Sequence, residues 1–132
     1  MTQNLPWLQM LAVAFGSAAG GVSRWALQLW LNERWSGFPL GTLLVNCLGG
    51  LLIGMALAWF SRSPNDMLKL LVVTGFLGGL TTFSAFTGES LSLLHRGDYF
   101  WAAAHSLSHL IGALLICGVG FWLVNAVLGP AR

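Results

Sequence analysis

Residues 78–86, with the sequence GGLTTFSAF, place two glycines, three hydroxyl side chains and two phenylalanines in the middle of an apolar stretch. Adjacent glycines loosen a helix, and neighbouring hydroxyls can bond to the backbone groups that are freed. Because lipid offers such groups no partner, irregular backbone at membrane depth is tolerated only where it is buried in protein or lines a cavity. The stretch therefore predicts a membrane helix that is broken between Gly78 and Thr81.

Charged residues make up only 8% of the 132 residues, whereas 56% are hydrophobic. A soluble domain has about 25% charged residues, so this balance is typical of a membrane protein. The net charge of +2 comes without a basic run and predicts no nucleic-acid partner. The sequence predicts an all-α integral membrane protein with one domain over residues 1–132. Four segments meet the need for about 20 apolar residues: residues 6–30, 41–60, 67–94 and 99–128.

Glycine pairs four residues apart recur in three of these segments. Such pairs let the backbones of neighbouring helices approach closely in lipid, so they predict a tightly packed bundle. The pairs are Gly16 with Gly20, Gly50 with Gly54, and Gly75 with Gly79.

The basic residues give the chain no preferred orientation in the membrane. With four spans, three basic residues fall on each side, so the positive-inside rule has no bias to act on. The chain is therefore expected to insert both ways, which would permit antiparallel dimers; the alternative is an orientation fixed by some other feature. The two sets are Arg62, Lys69 and Arg132 on one side, and Arg24, Arg34 and Arg96 on the other.

Two polar residues in the first and second segments are candidates for function, because polar groups at membrane depth are costly. Arg24 lies a turn or two inside the end of its segment. It either extends to the interface or acts as a fixed cation in a vestibule that attracts an anion. Asn46 shares a stripe of small and polar residues with Thr42 and Gly49. Its amide either joins two helices or donates to a passing anion.

Further polar side chains occur in the third and fourth segments. His105, Ser108 and His109 share a helical face, either as satisfied core groups or as the lining of a polar track. Glu89 follows the motif of residues 78–86 by about one turn, and we expect it near the mouth of the third span, where a carboxylate can be hydrated.

Phe83 and Phe86 lie one helical turn apart and are either ordinary apolar residues or an anion-facing pair. The edge of an aromatic ring is positive, so two ring edges would attract a small anion without holding it tightly. Conduction needs that balance between entry and release. The hydroxyls of Thr81, Thr82 and Ser84 would add donors. Carbonyls unwound at the break could also hold a hard monovalent cation at the centre of a symmetric dimer.

Motifs along nearly the whole chain resemble those of the CrcB/Fluc family of fluoride channels. They are GGVSRW at residues 20–25, GTLLVNCLGG at 41–50, GFLGGLTTFSAF at 75–86 with Glu89 after it, and the region 109–112. The resemblance implies an antiparallel, dual-topology homodimer in the bilayer, with two fluoride pores and a structural sodium ion at its centre. It also implies a location in the inner (plasma) membrane of a bacterium, where passive export would lower fluoride toxicity.

The resemblance also implies roles for individual residues. The backbone carbonyls of Gly78 and Thr81 would bind sodium, and Arg24 would help to form the vestibule. Many members have a threonine where this chain has Ala85, so one hydroxyl of the third-span polar track is missing. The predicted pore residues are Asn46, Thr82, Phe83, Ser84, Phe86, Glu89, Ser108 and His109.

Two other classes of protein are less compatible with the sequence. A small multidrug exporter is also short, four-span and dual-topology, but it needs a membrane-embedded carboxylate to exchange protons for cationic drugs. The first segment has no acidic residue, and Glu89 is the only acid within any of the four. An intramembrane enzyme would need more than Ser84 and His109 as nucleophile and base, since no orienting acid is recognisable. The sequence therefore predicts that the protein is not an enzyme.

Overall fold

The computed structural model describes residues 5–32 and 38–129. Within these ranges the chain is helical and contains no strand, which confirms the predicted all-α class. Arg34 and Arg132, which entered the charge count, lie outside the described residues. The elements are α1 (Pro6–Asn32), α2 (Leu40–Phe60), α3 (residues 66–80), α4 (Phe83–His95) and α5 (Tyr99–Leu128).

Three helical stretches in the described part of the chain are long and apolar enough to cross a membrane: Leu40–Phe60, Asp66–His95 and Tyr99–Leu128. At 27 residues α1 also has the length of a span. It is not among the three because Arg24 and several uncharged polar side chains lower its apolar content. All four helical stretches begin and end within two residues of the predicted segments, and the predicted crossing by α1 stays a prediction.

The third span is broken in its middle, as predicted, but two threonines form the break. Thr81 (φ −82°, ψ 156°) and Thr82 (φ −149°, ψ 121°) are extended, whereas Gly78 (φ −63°, ψ −34°) is still helical. The prediction that placed the break between Gly78 and Thr81 is therefore wrong by about two residues. The glycines take part in packing instead: a Cβ on Gly79 would collide with the Ser17 carbonyl oxygen of α1.

Two tight helix–helix seams organise the bundle, and all three predicted glycine pairs lie in them. Gly16, Gly20, Gly75 and Gly79 bring α1 and α3 together. Gly50 and Gly54 face the backbone of Ala113 and Cys117 and bring α2 and α5 together. None of these positions has room for a Cβ, so each seam depends on residues without side chains.

Hydrogen bonds from Arg62 close one end of the α2–α5 seam. Its guanidinium donates to the Ala58 carbonyl, to the Asn125 side-chain oxygen and to the Gly129 carbonyl. The side chain therefore ties the end of α2 to the end of α5.

Wide π-helical turns interrupt two of the helices, at Leu70–Leu77 in α3 and at Ser108–Gly112 in α5. Such turns often mark functional positions, because they rotate the following side chains relative to a regular helix. The second one contains Ser108 and His109, both of which the sequence singles out.

Candidate functional site

The break in the third span is held by a side chain of α2. The Asn46 Oδ1 accepts from the Thr82 N–H at 2.8 Å, and its Nδ2 donates to the Thr82 carbonyl at 3.0 Å. Asn46 thus pairs the Thr82 N–H, which has no helical acceptor, and also bonds to the Thr82 carbonyl. This explains why α2 carries an amide at membrane depth, where an unpaired backbone group would be costly.

Hydroxyl side chains finish the two helices that meet at the break. The Thr81 hydroxyl donates to the Leu77 carbonyl at 2.9 Å and ends α3. Thr82 is the N-cap of α4, because its hydroxyl accepts from the Ala85 N–H at 3.2 Å. The Ser84 hydroxyl lies 3.2 Å from that of Thr82 on an exposed part of the first turn of α4. The hydroxyl of Thr81 therefore helps to end α3, and the hydroxyl of Thr82 caps the start of α4.

Arg24 lies at the break. Its Nε donates to the Gly79 carbonyl at 3.1 Å, at the carboxyl end of α3. A cation is stabilised there by the negative end of the helix dipole. The contact places its guanidinium within one residue of Gly78, and the vestibule role of Arg24 stays a prediction.

Four aromatic rings form a continuous cluster beside the break. The Phe83 and Phe86 centroids are 5.3 Å apart, with planes tilted by 56°. The Phe86 centroid lies 5.5 Å from that of His105 and 4.7 Å from that of His109, and the two imidazoles are 4.5 Å apart. Phe83 is 78% exposed on the single chain, whereas both histidines are buried. One end of this cluster is thus open and the other is enclosed.

Glu89 is bonded to side chains from two other helices. Its Oε1 accepts from the Thr42 hydroxyl at 2.5 Å, and Thr42 in turn accepts from the Gln28 amide at 3.0 Å. Its Oε2 lies 3.3 Å from the Nε2 of His105, whose Nδ1 is 3.0 Å from the Ser90 hydroxyl. The carboxylate therefore lies inside a polar network, more enclosed than the hydrated mouth we expected.

The polar network also contains four residues outside the predicted pore set, some of which the sequence signals: Thr42, Gln28, Ser90 and His105. Thr42 and His105 each share a helical face with a selected residue, and Gln28 lies four residues after Arg24. Ser90 gives no signal, because a serine next to a glutamate is unremarkable. Ser108 was selected, but its hydroxyl donates to the Ala104 carbonyl of its own helix at 2.6 Å.

A cavity of about 660 Å³ joins the break to the aromatic cluster. The described residues that line it include no Lys, Arg, Asp or Glu. An ion in this cavity would be held by dipoles, hydroxyls and rings. The lining residues that the sequence had selected are Asn46, Gly78, Thr81, Thr82, Phe83, Phe86 and His109.

The Gly78 and Thr81 carbonyls fit the donor chemistry of a sodium site. Gly78 lies in the last turn of α3, where carbonyls lack partners within the helix. The Thr82 N–H, which would reach the Gly78 carbonyl in a continuous helix, donates to Asn46 instead. The extended Thr81 turns its own carbonyl out of the helical row. Carbonyls freed at a break of this kind are the oxygen ligands that Na⁺ takes in broken membrane helices.

The fold and the site define a small multi-pass membrane protein whose broken third helix lies against an uncharged cavity. The chain belongs to the CrcB family: the family model described as "CrcB-like protein, Camphor Resistance (CrcB)" matches residues 11–121.

Three bacterial relatives, each named "Fluoride-specific ion channel FluC", are similar to this chain over most of both sequences. The one from Erwinia tasmaniensis is 49% identical and covers 88% of this chain and 94% of its own length. The one from Aromatoleum aromaticum is 50% identical, with 96% of both covered. The one from Pseudomonas aeruginosa is 46% identical, with 93% and 98% covered. These relatives are named as channels and not as enzymes.

Proposed function

We propose that the protein is a fluoride-selective channel that lets fluoride leave the cytoplasm by passive conduction. The similarity to three proteins named as fluoride-specific channels, at 46–50% identity over most of each sequence, carries the proposal.

The cavity beside the break has the properties that such a channel needs. The Thr82 hydroxyl and the imidazole of His109 are hydrogen-bonding groups in its lining, and the tilted rings of Phe83 and Phe86 present edges as well as faces. Neutral donors and ring edges attract an anion without the strong hold of a lysine or arginine. Weak and repeated contacts of this kind allow an ion both to enter and to leave.

The proposal includes an antiparallel homodimer with dual topology and two pores. Phe83 is 78% exposed on a single chain, and the cavity beside it is open, so a second copy would complete the walls. The balanced basic residues favour insertion in both directions, which an antiparallel pair requires. Large apolar side chains along α1, α4 and α5 supply surface for a partner and for lipid.

We also propose a structural sodium ion between the two copies, bound by the carbonyls of Gly78 and Thr81. One chain offers two such carbonyls, and an antiparallel partner would bring two more. When bound, sodium would supply fixed positive charge next to a pathway whose described lining has no cationic side chain. Arg24, which donates to the Gly79 carbonyl, would steady the same turn of α3.

We place the channel in the inner membrane of a bacterium, where it would lower the toxicity of cytoplasmic fluoride. Three membrane-capable helices among the described residues support a multi-pass membrane location, and the similar proteins are bacterial. The alternative of a multidrug exporter gains no support from the family. Its required carboxylate would have to be Glu89, whose oxygens face Thr42 and His105.

Reconstitution into liposomes tests the function directly. Liposomes loaded with fluoride or with chloride are diluted into a salt that the electrode does not detect, and efflux is followed with an ion-selective electrode. We expect fast fluoride efflux and chloride efflux no faster than from protein-free liposomes. Fluoride efflux at the protein-free rate would reject the channel, and equal efflux of both anions would reject selectivity.

A further inference from the structure

The orientation of the Asn46 amide follows from its backbone partners. A backbone N–H can only donate and a backbone carbonyl can only accept. Because Thr82 presents one of each to Asn46, the Oδ1 must face the Thr82 N–H and the Nδ2 must face its carbonyl. A flipped amide would place donor against donor and acceptor against acceptor.

This orientation determines which nitrogen of His109 carries the proton. The Asn46 Nδ2 lies 3.0 Å from the His109 Nδ1 and can only donate to it. The Nδ1 must therefore be an unprotonated acceptor, so the ring is neutral and its proton sits on Nε2. Asn46 thus bonds to the broken backbone of the third span and also fixes the tautomer of His109, which lies 63 residues further along the chain.

The His109 Nε2 is a buried donor with no hydrogen-bond partner in the described part of the chain. The His109 residue is only 6% exposed, and its ring stacks obliquely against Phe86 with centroids 4.7 Å apart. The Nε2 of His105 and the Oε2 of Glu89 also lack a well-formed hydrogen bond among the described residues, although those two atoms are 3.3 Å apart. Ligand atoms of the three side chains all lie within 4.8 Å of one another.

Two histidines and a glutamate at this spacing have the composition of a transition-metal site. A metal bound at the His109 Nε2 would need the lone pair there, with the proton on Nδ1 and an acceptor facing it. Asn46 offers Nδ1 a donor instead, and the backbone of Thr82 prevents the amide from turning. The fold therefore opposes a metal and presents an N–H group.

We propose that Asn46 fixes neutral His109 as an Nε2–H donor to a small dehydrated anion, and that this choice of tautomer keeps the Glu89–His105–His109 cluster from binding transition metals. The identity of the anion as fluoride rests on the proposed function, whereas the tautomer does not. Asn46 is a positioning residue in this scheme, and His109 is the group that contacts the anion.

Nitrogen NMR of the purified protein tests the tautomer without any transport measurement. The chain has three histidines, so a sample with ¹⁵N-labelled histidine gives few signals, and His109→Gln identifies those of His109. We expect an unprotonated Nδ1 and a protonated Nε2 at His109, and a saturable shift of the Nε2 signal when fluoride is added. A protonated Nδ1 would overturn the proposal, and so would an Nε2 signal that fluoride leaves unchanged.

Asn46→Asp reverses the donor and tests the second half of the proposal. A carboxylate at position 46 would accept from His109 Nδ1–H and leave a lone pair on Nε2. Isothermal titration with Zn²⁺ should detect no saturable site in the wild-type protein. The variant should show a saturable site, because the hydrogen-bond partner of a ligating histidine changes metal affinity by about tenfold or more. Saturable wild-type binding that His109→Gln abolishes would overturn the proposal.

Asn125→Asp is the matched control, because it makes the same chemical change at an asparagine whose partners are Arg62 and the Phe121 carbonyl. It should leave both the His109 tautomer and the Zn²⁺ titration as in the wild type. If wild-type liposomes conduct no fluoride while the tautomer is as expected, the proposed function fails and the tautomer assignment stands. If they conduct fluoride and Nδ1 is protonated, the tautomer assignment fails and the proposed function stands.

Discussion

Asn46 binds the backbone of Thr82 through the two hydrogen bonds that a neighbouring β-strand would make. The distances are 2.8 Å for the bond from the Thr82 N–H and 3.0 Å for the bond to its carbonyl. One side chain of α2 therefore replaces the bond that the Thr82 N–H would make to the Gly78 carbonyl in a continuous helix. The break therefore depends on Asn46 of α2 as well as on the TTFS motif.

Asn46→Ala should lower the stability of the protein because it leaves the Thr82 N–H unpaired and removes one of the bonds to the Thr82 carbonyl. Each unsatisfied buried group costs about 1–3 kcal/mol. Thermal unfolding in detergent, followed by tryptophan fluorescence, should show a lower midpoint than the wild type. Asn125→Ala, which takes no bond from the broken backbone, should lower it less. Equal midpoints for the two variants would contradict the role given to Asn46.

Gly79→Ala should loosen the α1–α3 seam, because the added Cβ would meet the Ser17 carbonyl oxygen. Overpacking of this kind costs about 1–3 kcal/mol. The matched control is Gly21→Ala, since a Cβ at Gly21 has nothing within 4 Å. Size-exclusion profiles after graded denaturant should show early loss of the folded peak for Gly79→Ala alone. An unchanged profile would mean that α1 can move away at no cost.

Phe83→Ile should slow fluoride efflux while leaving the fold intact. Isoleucine keeps much of the bulk but removes the ring edge, and at 78% exposure Phe83 contributes little to the core of a single chain. An aromatic contact worth about 0.5–1.5 kcal/mol corresponds to a change of up to about tenfold in rate. Phe100→Ile, at a site that is 76% exposed on α5, is the control. Liposome efflux at the wild-type rate in Phe83→Ile would reject the ring-edge role.

Ala85→Thr should raise fluoride throughput if the missing hydroxyl limits conduction. Ala85 lies in the first turn of α4, half-buried, and its N–H donates to the Thr82 hydroxyl. A threonine there would add a donor next to Ser84 and the N-cap. Efflux per reconstituted protein measures the effect, with Ala103→Thr on the exposed face of α5 as the control. No change would show that the hydroxyl is dispensable in this chain.

Local features of the sequence predict the helices and part of the site. The helix ends follow from apolar length and from the loop residues between segments, and the Phe83–Phe86 pair follows from one-turn spacing. The predicted position of the break was wrong because glycines indicate only where a backbone is free to bend. The helix breaks at Thr82, where Asn46, 36 residues away in the sequence, supplies a partner for the backbone N–H. The bond between Asn46 and His109 spans 63 residues and has no local signal. Ser108 was assigned to the pore because sequence spacing does not show that its hydroxyl bonds to its own helix.

The seam between α2 and α5 has a consequence for how the protein is made. Gly54 fits against the backbone at Cys117, and Arg62 bonds to Asn125 and Gly129, so α2 packs against a helix that is synthesised two spans later. Before α5 is inserted, the glycine face of α2 has no α5 backbone to pack against. Premature truncation before α5 would therefore leave inserted helices without their tightest packing, as substrates for membrane quality control. The α1–α3 seam can form before α5 is made, whereas the α2–α5 seam cannot, so the two seams of the bundle form in a fixed order.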